Sequence, residues 1–398
     1  MPWCNEGYFQ RALSLKGPAM SQTASIYADY AATTPCDPRV IATMMAVYEQ
    51  GWGNPSSRQY PQGRRAADHL EHARGSLSTL LGCRDDELTF TSGATESCNM
   101  IIKGVASAHP QQQLIVARSE HPAVMAAARA CEQAGIRVHW LTIDRHGLID
   151  VDDLQEALKQ PSSLVAVMMV NNQTGVTHDL ADLAQRCHRA GTLLMSDITQ
   201  ALVRHSSLRL HEWGVDFAAC SAHKCYGPQG CGAVYMRRGL GLPALIDGGG
   251  QERGRRSGTE AVAQIAGFGR AAQLQICEGR QRLERLQQLT HAFSHGLQDR
   301  APWIQQFGHL SHRAPGIFLL GGPQAPQQWL RRLTRIACSP GSSCASGTHE
   351  PSHVLQAMGV PNNQALNAIR ISLSHLTEDT EIEQLIELLA HSERPQTG

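Results

Sequence analysis

The strongest constraint on this chain's fold is a pattern repeated through its first two-thirds. Short, continuous apolar runs are each followed by a polar or glycine-bearing turn and then by a helical stretch. Leu114-Ile115-Val116-Ala117 leads to Glu120-His121-Pro122 and a helix through Cys131, Val138 to Ile143 forms another strand, and Leu164 to Val170 runs into Asn171-Asn172. A helix from Leu180 to Ala190 precedes the run Thr192 to Asp197, and Val215 to Cys220 opens into Ser221-Ala222-His223-Lys224-Cys225-Tyr226-Gly227-Pro228. Strands that are apolar on both sides must be covered on both sides, so the pattern predicts an α/β fold with a mostly parallel sheet between helix layers.

The flanking segments complete the organisation. Ile26 to Tyr30 reads as a short strand, Ala31 to Pro35 as a turn, and Asp37-Pro38 as an N-cap with proline at the first helical position. A helix from about Gly63 to Leu81 follows the polar loop Asn54 to Arg58, and Glu87 to Thr91 is a strand entering the tight turn Ser92-Gly93-Ala94-Thr95-Glu96. Beyond Gly248-Gly249-Gly250 a long helical pattern runs from Glu260 to Gln298, and the expected domain boundary falls inside it, near residue 275. Residues 26–275 then form a large domain, with packing of 26–35 against the second domain left open. Residues 276–398 form a smaller α+β domain with strands at Ile317 to Leu320 and Ala368 to Ser372 and a last helix from Glu378 to His391. Residues 1–25 read as an extension without periodic pattern, and Met20 is an alternative start.

At 398 residues the chain has room for a large core, and its 35 basic and 35 acidic residues cancel. That balance gives no general attraction to nucleic acid or to an anionic membrane, so a small molecule or a protein is the expected partner. No apolar run approaches the roughly 20 residues that span a bilayer, and the first residues lack the apolar core of a signal peptide, which together predict a soluble, cytoplasmic protein. The twelve cysteines are scattered without a C-x-x-C pair, so reduced thiols are expected and no metal site.

Lys224 stands out because it follows a buried strand directly. Taken alone it is more simply a surface lysine ending a strand, yet strand ends are where an open α/β sheet gathers its ligand-binding groups. A lysine held there can lose its proton and react with an aldehyde. Thr95, His121, Asn172, Asp197 with Gln200, and Ser221-x-His223-Lys224 all fall just beyond strand ends. The helix start at Ala94-Thr95 offers free N–H groups and a favourable dipole, so with Ser221 and His223 it can hold a phosphate. Asp197 can keep a ring nitrogen protonated. These are complementary parts for pyridoxal 5'-phosphate.

Five segments, Tyr27 to Pro35, Gly53 to Arg58, Phe90 to Ser97, Ser221 to Lys224 and Arg256-Ser257-Gly258-Thr259, together resemble the cysteine desulfurases of the NifS/IscS type, which are fold-type I pyridoxal phosphate enzymes. The resemblance extends from about Ile26 to Leu389. It implies that Lys224 binds the cofactor and moves the substrate α-proton, that Asp197 pairs with the ring nitrogen, and that Asn172 and Gln200 contact the ring hydroxyl side. It further implies that His121 stacks on the ring and serves in proton transfer, that Arg370 anchors the substrate carboxylate, and that Thr259 completes the neighbouring subunit's phosphate site in a homodimer. Taken individually, His121 is more often a loop or N-cap histidine, Asp197 a strand-end turn residue and Arg370 a surface or ion-paired arginine.

A second centre lies in Ser339-Pro340-Gly341-Ser342-Ser343-Cys344-Ala345-Ser346-Gly347-Thr348, where small and turn-forming residues around a cysteine predict an exposed, mobile loop. The segment resembles the family's catalytic loop, which implies that Cys344 takes sulfur from L-cysteine as a persulfide and passes it to an acceptor protein. Cys338 is expected to be inert. Iron–sulfur cluster assembly, tRNA thiolation and DNA sulfur modification all begin with such a persulfide, and the acceptor is left open, as is docking of an iron–sulfur scaffold near the C-terminus. Asn171-Asn172-Gln173-Thr174-Gly175 stands where the family usually has Asn-Asn-Glu-x-Gly, which marks a divergent member. The alternatives are a selenocysteine lyase, an aminotransferase or other fold-type I enzyme, or a non-catalytic sulfur-carrier partner.

Overall fold

The computed structural model describes residues 25–322, 335–340 and 350–392. In chain order the first part consists of β1 (Ile26–Tyr27), α1 (Pro38–Gln50), α2 (Pro61–Leu81), β2 (Leu88–Thr91), α3 (Ala94–Ala108), β3 (Gln113–Ala117), α4 (Pro122–Gln133), β4 (Val138–Leu141) and α5 (Val151–Ala157). It continues through β5 (Ser162–Ala166), α6 (Leu180–Arg189), β6 (Leu193–Asp197), β7 (Phe217–Ser221) and β8 (Gly232–Met236). Helix α7 (Val262–Arg300) leads to β9 (Gln305–Phe307), β10 (Ile317–Gly321), β11 (Ile336–Ala337), β12 (Ser339–Pro340), α8 (His353–Ala357), α9 (Asn362–Leu366), β13 (Ala368–Ser372) and α10 (Asp379–Ser392).

Seven strands form the main sheet in the order β2-β8-β7-β6-β5-β3-β4. Neighbours from β7 to β4 run parallel, and β8 alone runs against both of its neighbours. The apolar strands are buried throughout, as a sheet covered on both faces requires. The start of α1 follows the expected chemistry: Asp37 accepts a hydrogen bond from the Arg39 N–H and Pro38 occupies the first turn.

The apolar run from Leu164 to Val170 reads as one strand, but it is paired on both sides only as far as Ala166. On one side the run keeps bonding to the neighbouring strand, through Val167 N–H to the Met195 carbonyl and Met169 N–H to the Asp197 carbonyl. On the other side β3 has already ended at Ala117, and the Met168 N–H is taken by the Glu120 carboxylate instead. Hydropathy continues past that point while strand pairing does not.

Two core clusters meet along α7. Its first half contributes Ile265, Phe268 and Ala272 to the core under the main sheet. Its second half contributes Leu286, Leu289, Phe293 and Leu297 to a second core with Phe318, Ile371 and Leu385. Ile26 and Ala28 also belong to that second core. The second core is built on the antiparallel sheet β12-β13-β10-β9, with β1 and β11 pairing in parallel at its side.

Candidate active site

The C-terminal ends of the parallel strands open on a cavity of about 500 Å³. Its wall brings together Ala94, Thr95, His121, Asn172, Asp197, Gln200, Ser221, His223 and Lys224, which are scattered over 131 residues of sequence. Arg370 stands just behind the wall, donating from Nη1 to the Asn172 carbonyl at 3.0 Å. Thr259 is exposed and lies outside the cavity lining. Cys344 lies outside the described residues.

Lys224 ends the short helical turn after β7. Its Nζ donates to the Ala31 carbonyl at 2.7 Å and to the Ala32 carbonyl, so the turn after β1 is wrapped over the lysine. Thr34 ties the same two turns together, donating from its N–H and its hydroxyl to the His223 carbonyl and accepting from the Tyr226 N–H. Burial disfavours the ammonium form, and Arg370 and Arg204 push in the same direction, so the Lys224 pKa falls to about 8. An amine that titrates near neutrality can exist as the free base that attacks an aldehyde.

Another part of the cavity wall is a cradle of backbone. Gly93 adopts φ 155° and ψ 175°, a conformation open to glycine, and it supplies no side chain to cap α3. The first N–H groups of that helix therefore open on the cavity at Ala94 and Thr95. Strand β8 passes so close behind that a Cβ on Gly232 would lie 2.5 Å from the Gly93 Cα. Ser221, at the end of β7, and His223, in the turn after it, line the same cavity. The His223 Nδ1 meets the Thr33 hydroxyl at 3.0 Å, and burial together with Lys224 lowers its pKa to about 4, so it stands neutral.

In the same wall Asp197 is only 8% exposed at the tip of β6, and its Oδ1 accepts from the Thr199 N–H at 2.9 Å. Gln200 donates to the Ala31 carbonyl at 2.9 Å and accepts from Arg204 at 2.8 Å, which fixes its amide and leaves one Nε2 hydrogen free of those bonds. His121 is the N-cap of α4: its Nδ1 accepts from the Ala123 N–H at 3.1 Å, so the neutral ring carries its proton on Nε2. Burial lowers its pKa.

Several participants carried no signal in the sequence. The carbonyls of Ala31 and Ala32 are anonymous backbone groups until the fold brings them to Lys224. Glu120 looks like a surface acid beside His121, yet it is buried, and desolvation and Asp197 raise its pKa to about 8. Asp29 lies within the Tyr27 to Pro35 segment, and its pairing with Arg370 at 2.7 Å appears only in the structure. Cys338 is partly buried, and burial pushes its thiol up to about 12, the opposite of what a reactive thiol needs.

The residues present fit pyridoxal phosphate on several observations. The cavity wall carries a neutralisable lysine, uncapped helix N–H groups and a buried carboxylate. The Thr199 hydroxyl, beside Asp197 in the wall, is buried with no protein partner among the described residues and is available to a ligand. No group of three or more metal-ligating side chains occurs among the described residues, and none of their helices is long and apolar enough to cross a membrane.

Fold and site together define a fold-type I pyridoxal phosphate enzyme. More specifically, residues 26–385 match the family model for class-V aminotransferases, and the chain belongs to that family. It is 37% identical over 374 residues to the cysteine desulfurase IscS of Anaeromyxobacter sp. (strain Fw109-5), covering 93% of this chain and 92% of that protein. A solved NifS-like protein matches with a TM-score of 0.85 and 30% identity, over 92% of this chain and 98% of the other. SspA, solved in complex with cysteine, matches with a TM-score of 0.79 and 28% identity, over 88% of this chain and 99% of the other.

Proposed function

We propose that this chain is a pyridoxal phosphate-dependent cysteine desulfurase that converts L-cysteine to L-alanine and leaves a persulfide on Cys344. The observation that carries the reading is the partly buried Lys224 amine, with its pKa lowered to about 8, in one cavity with Asp197 and the uncapped start of α3. The likeness to cysteine desulfurases over nine-tenths of the chain supports the choice of reaction.

Ala94 and Thr95 N–H groups, with Ser221 and His223, would hold the phosphate, Lys224 the aldehyde carbon, and Asp197 the ring nitrogen. Asn172 and the free Nε2 hydrogen of Gln200 would face the ring hydroxyl. When bound, pyridoxal phosphate supplies an electron-accepting ring that stabilises negative charge at the substrate Cα.

The chain's own residues do the rest. Arg370 binds the substrate carboxylate through its planar fork. Lys224 Nζ takes the Cα proton, which its lowered pKa allows near neutrality. His121, neutral with its proton on Nε2, moves a proton within the site. The Cys344 thiolate attacks the substrate sulfur: the S–Cβ bond breaks, an S–S bond forms, Cβ gains a proton, and Lys224 Nζ returns to Cα the proton it took. One thiol and one L-cysteine thus yield one persulfide and one L-alanine, with no outside oxidant.

The functional unit in this reading is a homodimer with cytoplasmic residence, dividing near residue 275 into the two domains. Helix α1 supports the dimer by exposing Ile41, Met45 and Tyr48 on one face, with Trp52 63% exposed just beyond. The exposed Thr259, outside its own cavity, is then free to complete the phosphate site of the neighbour. A sulfur-acceptor protein takes the persulfide onward.

Incubating the holoenzyme with L-cysteine tests the reading: alanine and protein-bound persulfide should appear in equal first-turnover amounts. Lys224→Ala should abolish both, and Cys344→Ala should abolish the persulfide while the cofactor stays bound. Persulfide formation at the parent rate in Cys344→Ala, or turnover of selenocysteine but not cysteine, would overturn it.

A further inference from the structure

The segment 252–256 lies against the strand that runs into the cradle, and two ion pairs stitch it there. Glu252 Oε2 accepts from the Phe90 N–H at 2.7 Å, while its Oε1 accepts from Arg74 Nη2 at 2.7 Å. Arg74 Nη1 also donates to the Leu88 carbonyl at 3.0 Å. Both side chains are almost fully buried, at 4% and 3% exposure. Strand β2 is an edge of the main sheet, so among the described residues no strand lies beyond these outward-facing groups of Leu88 and Phe90. The Arg74–Glu252 pair stands in for that strand.

The second pair repeats the arrangement two residues along, with the charges exchanged. Glu96, in the first turn of α3, accepts from the Ser92 N–H at 2.8 Å and from Arg256 Nε at 2.8 Å. Burial works against its ionised form, but Arg256 and Ser92 outweigh it and hold the Glu96 pKa below its usual value. The segment therefore supplies the acid of one pair and the base of the other, and the backbone is gripped on both sides of Thr91. Glu252 and Arg253 adopt φ of 49° and 61°, left-handed values for two successive residues with side chains. Such strain persists only where the surroundings over-determine it. Thr259 follows Arg256 by three residues.

We propose that Glu252 is a positioning residue for the cofactor phosphate. With Arg74 and Phe90 it fixes the cradle of its own subunit, and through the segment ending at Arg256 it fixes the Thr259 offered to the neighbour's phosphate. This inference rests on the pyridoxal phosphate reading above and deepens it. The pair bonds to the strand that leads into the cradle and to neither Lys224 nor Asp197.

The test compares two aldehydes that differ only in the phosphate. Apo-protein of the full chain is titrated with pyridoxal 5'-phosphate and with pyridoxal, for the parent and for Glu252→Gln, which keeps an oxygen for the Phe90 N–H but removes the charge that holds Arg74. The dissociation constant for the phosphorylated aldehyde should rise by about tenfold or more, the worth of a misaligned charge-assisted hydrogen bond, while that for pyridoxal stays unchanged. Arg256→Gln, at a half-buried position, should show the same selective loss and covers the case in which Glu252→Gln fails to fold. Variants that keep the parent's preference for the phosphorylated aldehyde, or that lose both aldehydes equally, overturn the inference while the functional reading stands. A parent chain that takes up neither aldehyde in a Lys224-dependent way overturns both.

Discussion

The Asp29 carboxylate accepts a hydrogen bond from Arg370 Nη2 at 2.7 Å, joining the turn after β1 to β13 across 341 residues of sequence. Ser339, at the start of β12, bonds to both groups, donating to Asp29 at 2.8 Å and accepting from Arg370 at 3.0 Å. The candidate carboxylate anchor thus already holds one carboxylate, and a substrate must share the guanidinium with Asp29 or displace it.

The same pair sets the charge state of Lys224 from opposite sides, because Arg370 lowers the lysine pKa and Asp29 raises it. Arg370→Gln should move the Lys224 midpoint upward from about 8, and Asp29→Asn should move it downward. The pH dependence of Lys224 labelling by an amine-directed reagent in the apo-protein, read by mass spectrometry, measures both. Shifts in the same direction would contradict the electrostatic account.

His121 has two separable roles, as the N-cap of α4 and as a proton carrier at the cavity wall. Asparagine is as good an N-cap as exists but cannot transfer a proton near neutrality. His121→Asn should leave the melting temperature unchanged and lower alanine production by about 10²–10⁴-fold, the usual worth of a positioned acid–base group. A variant that unfolds early, or one that turns over normally, would refute that separation of roles.

His178 is buried, with Nδ1 at 3.0 Å from the Met168 carbonyl and the Ile149 N–H at 3.4 Å from Nε2. Burial lowers its pKa to about 4, against 6.5 in the unfolded chain. The folded state holds this ring neutral, so its contribution is fully present above pH about 6.5 and is lost as pH falls toward 4. The loss is on the order of 3 kcal/mol. In His178→Gln the fall in melting temperature between pH 7 and pH 5 should be smaller than in the parent, even if the variant starts lower at pH 7.

Helix α1 carries the exposed stripe Ile41, Met45 and Tyr48. Introducing charge with Met45→Glu and Tyr48→Glu together should yield a monomer by light scattering, with weakened retention of cofactor because Thr259 no longer reaches a neighbour. A dimer of unchanged stability would place the interface elsewhere.

Much of this architecture was legible from residue type and spacing. Asp37-Pro38 begins a helix where capping chemistry says it should, and the long pattern from Glu260 to Gln298 is a single helix from Val262 to Arg300. Differences arise where tertiary groups compete with local pattern. Helix α2 begins at Pro61 and not at Gly63, since proline is favoured at a first helical position. The Leu164–Val170 strand ends early because Glu120 takes a backbone N–H that hydropathy cannot see.

The sequence by itself determined the kinds of element, their order and the chemical groups available at their ends, because backbone propensity and side-chain identity are local properties. Only the tertiary structure decided which of those groups share a cavity and in what charge state. Lys224 is an ordinary amine in an extended chain. It titrates near 8 because the fold withdraws it from water and sets Arg370 and Arg204 near it. Desolvation and Coulomb interaction depend on distances between residues far apart in sequence, and those distances exist only once the chain has folded.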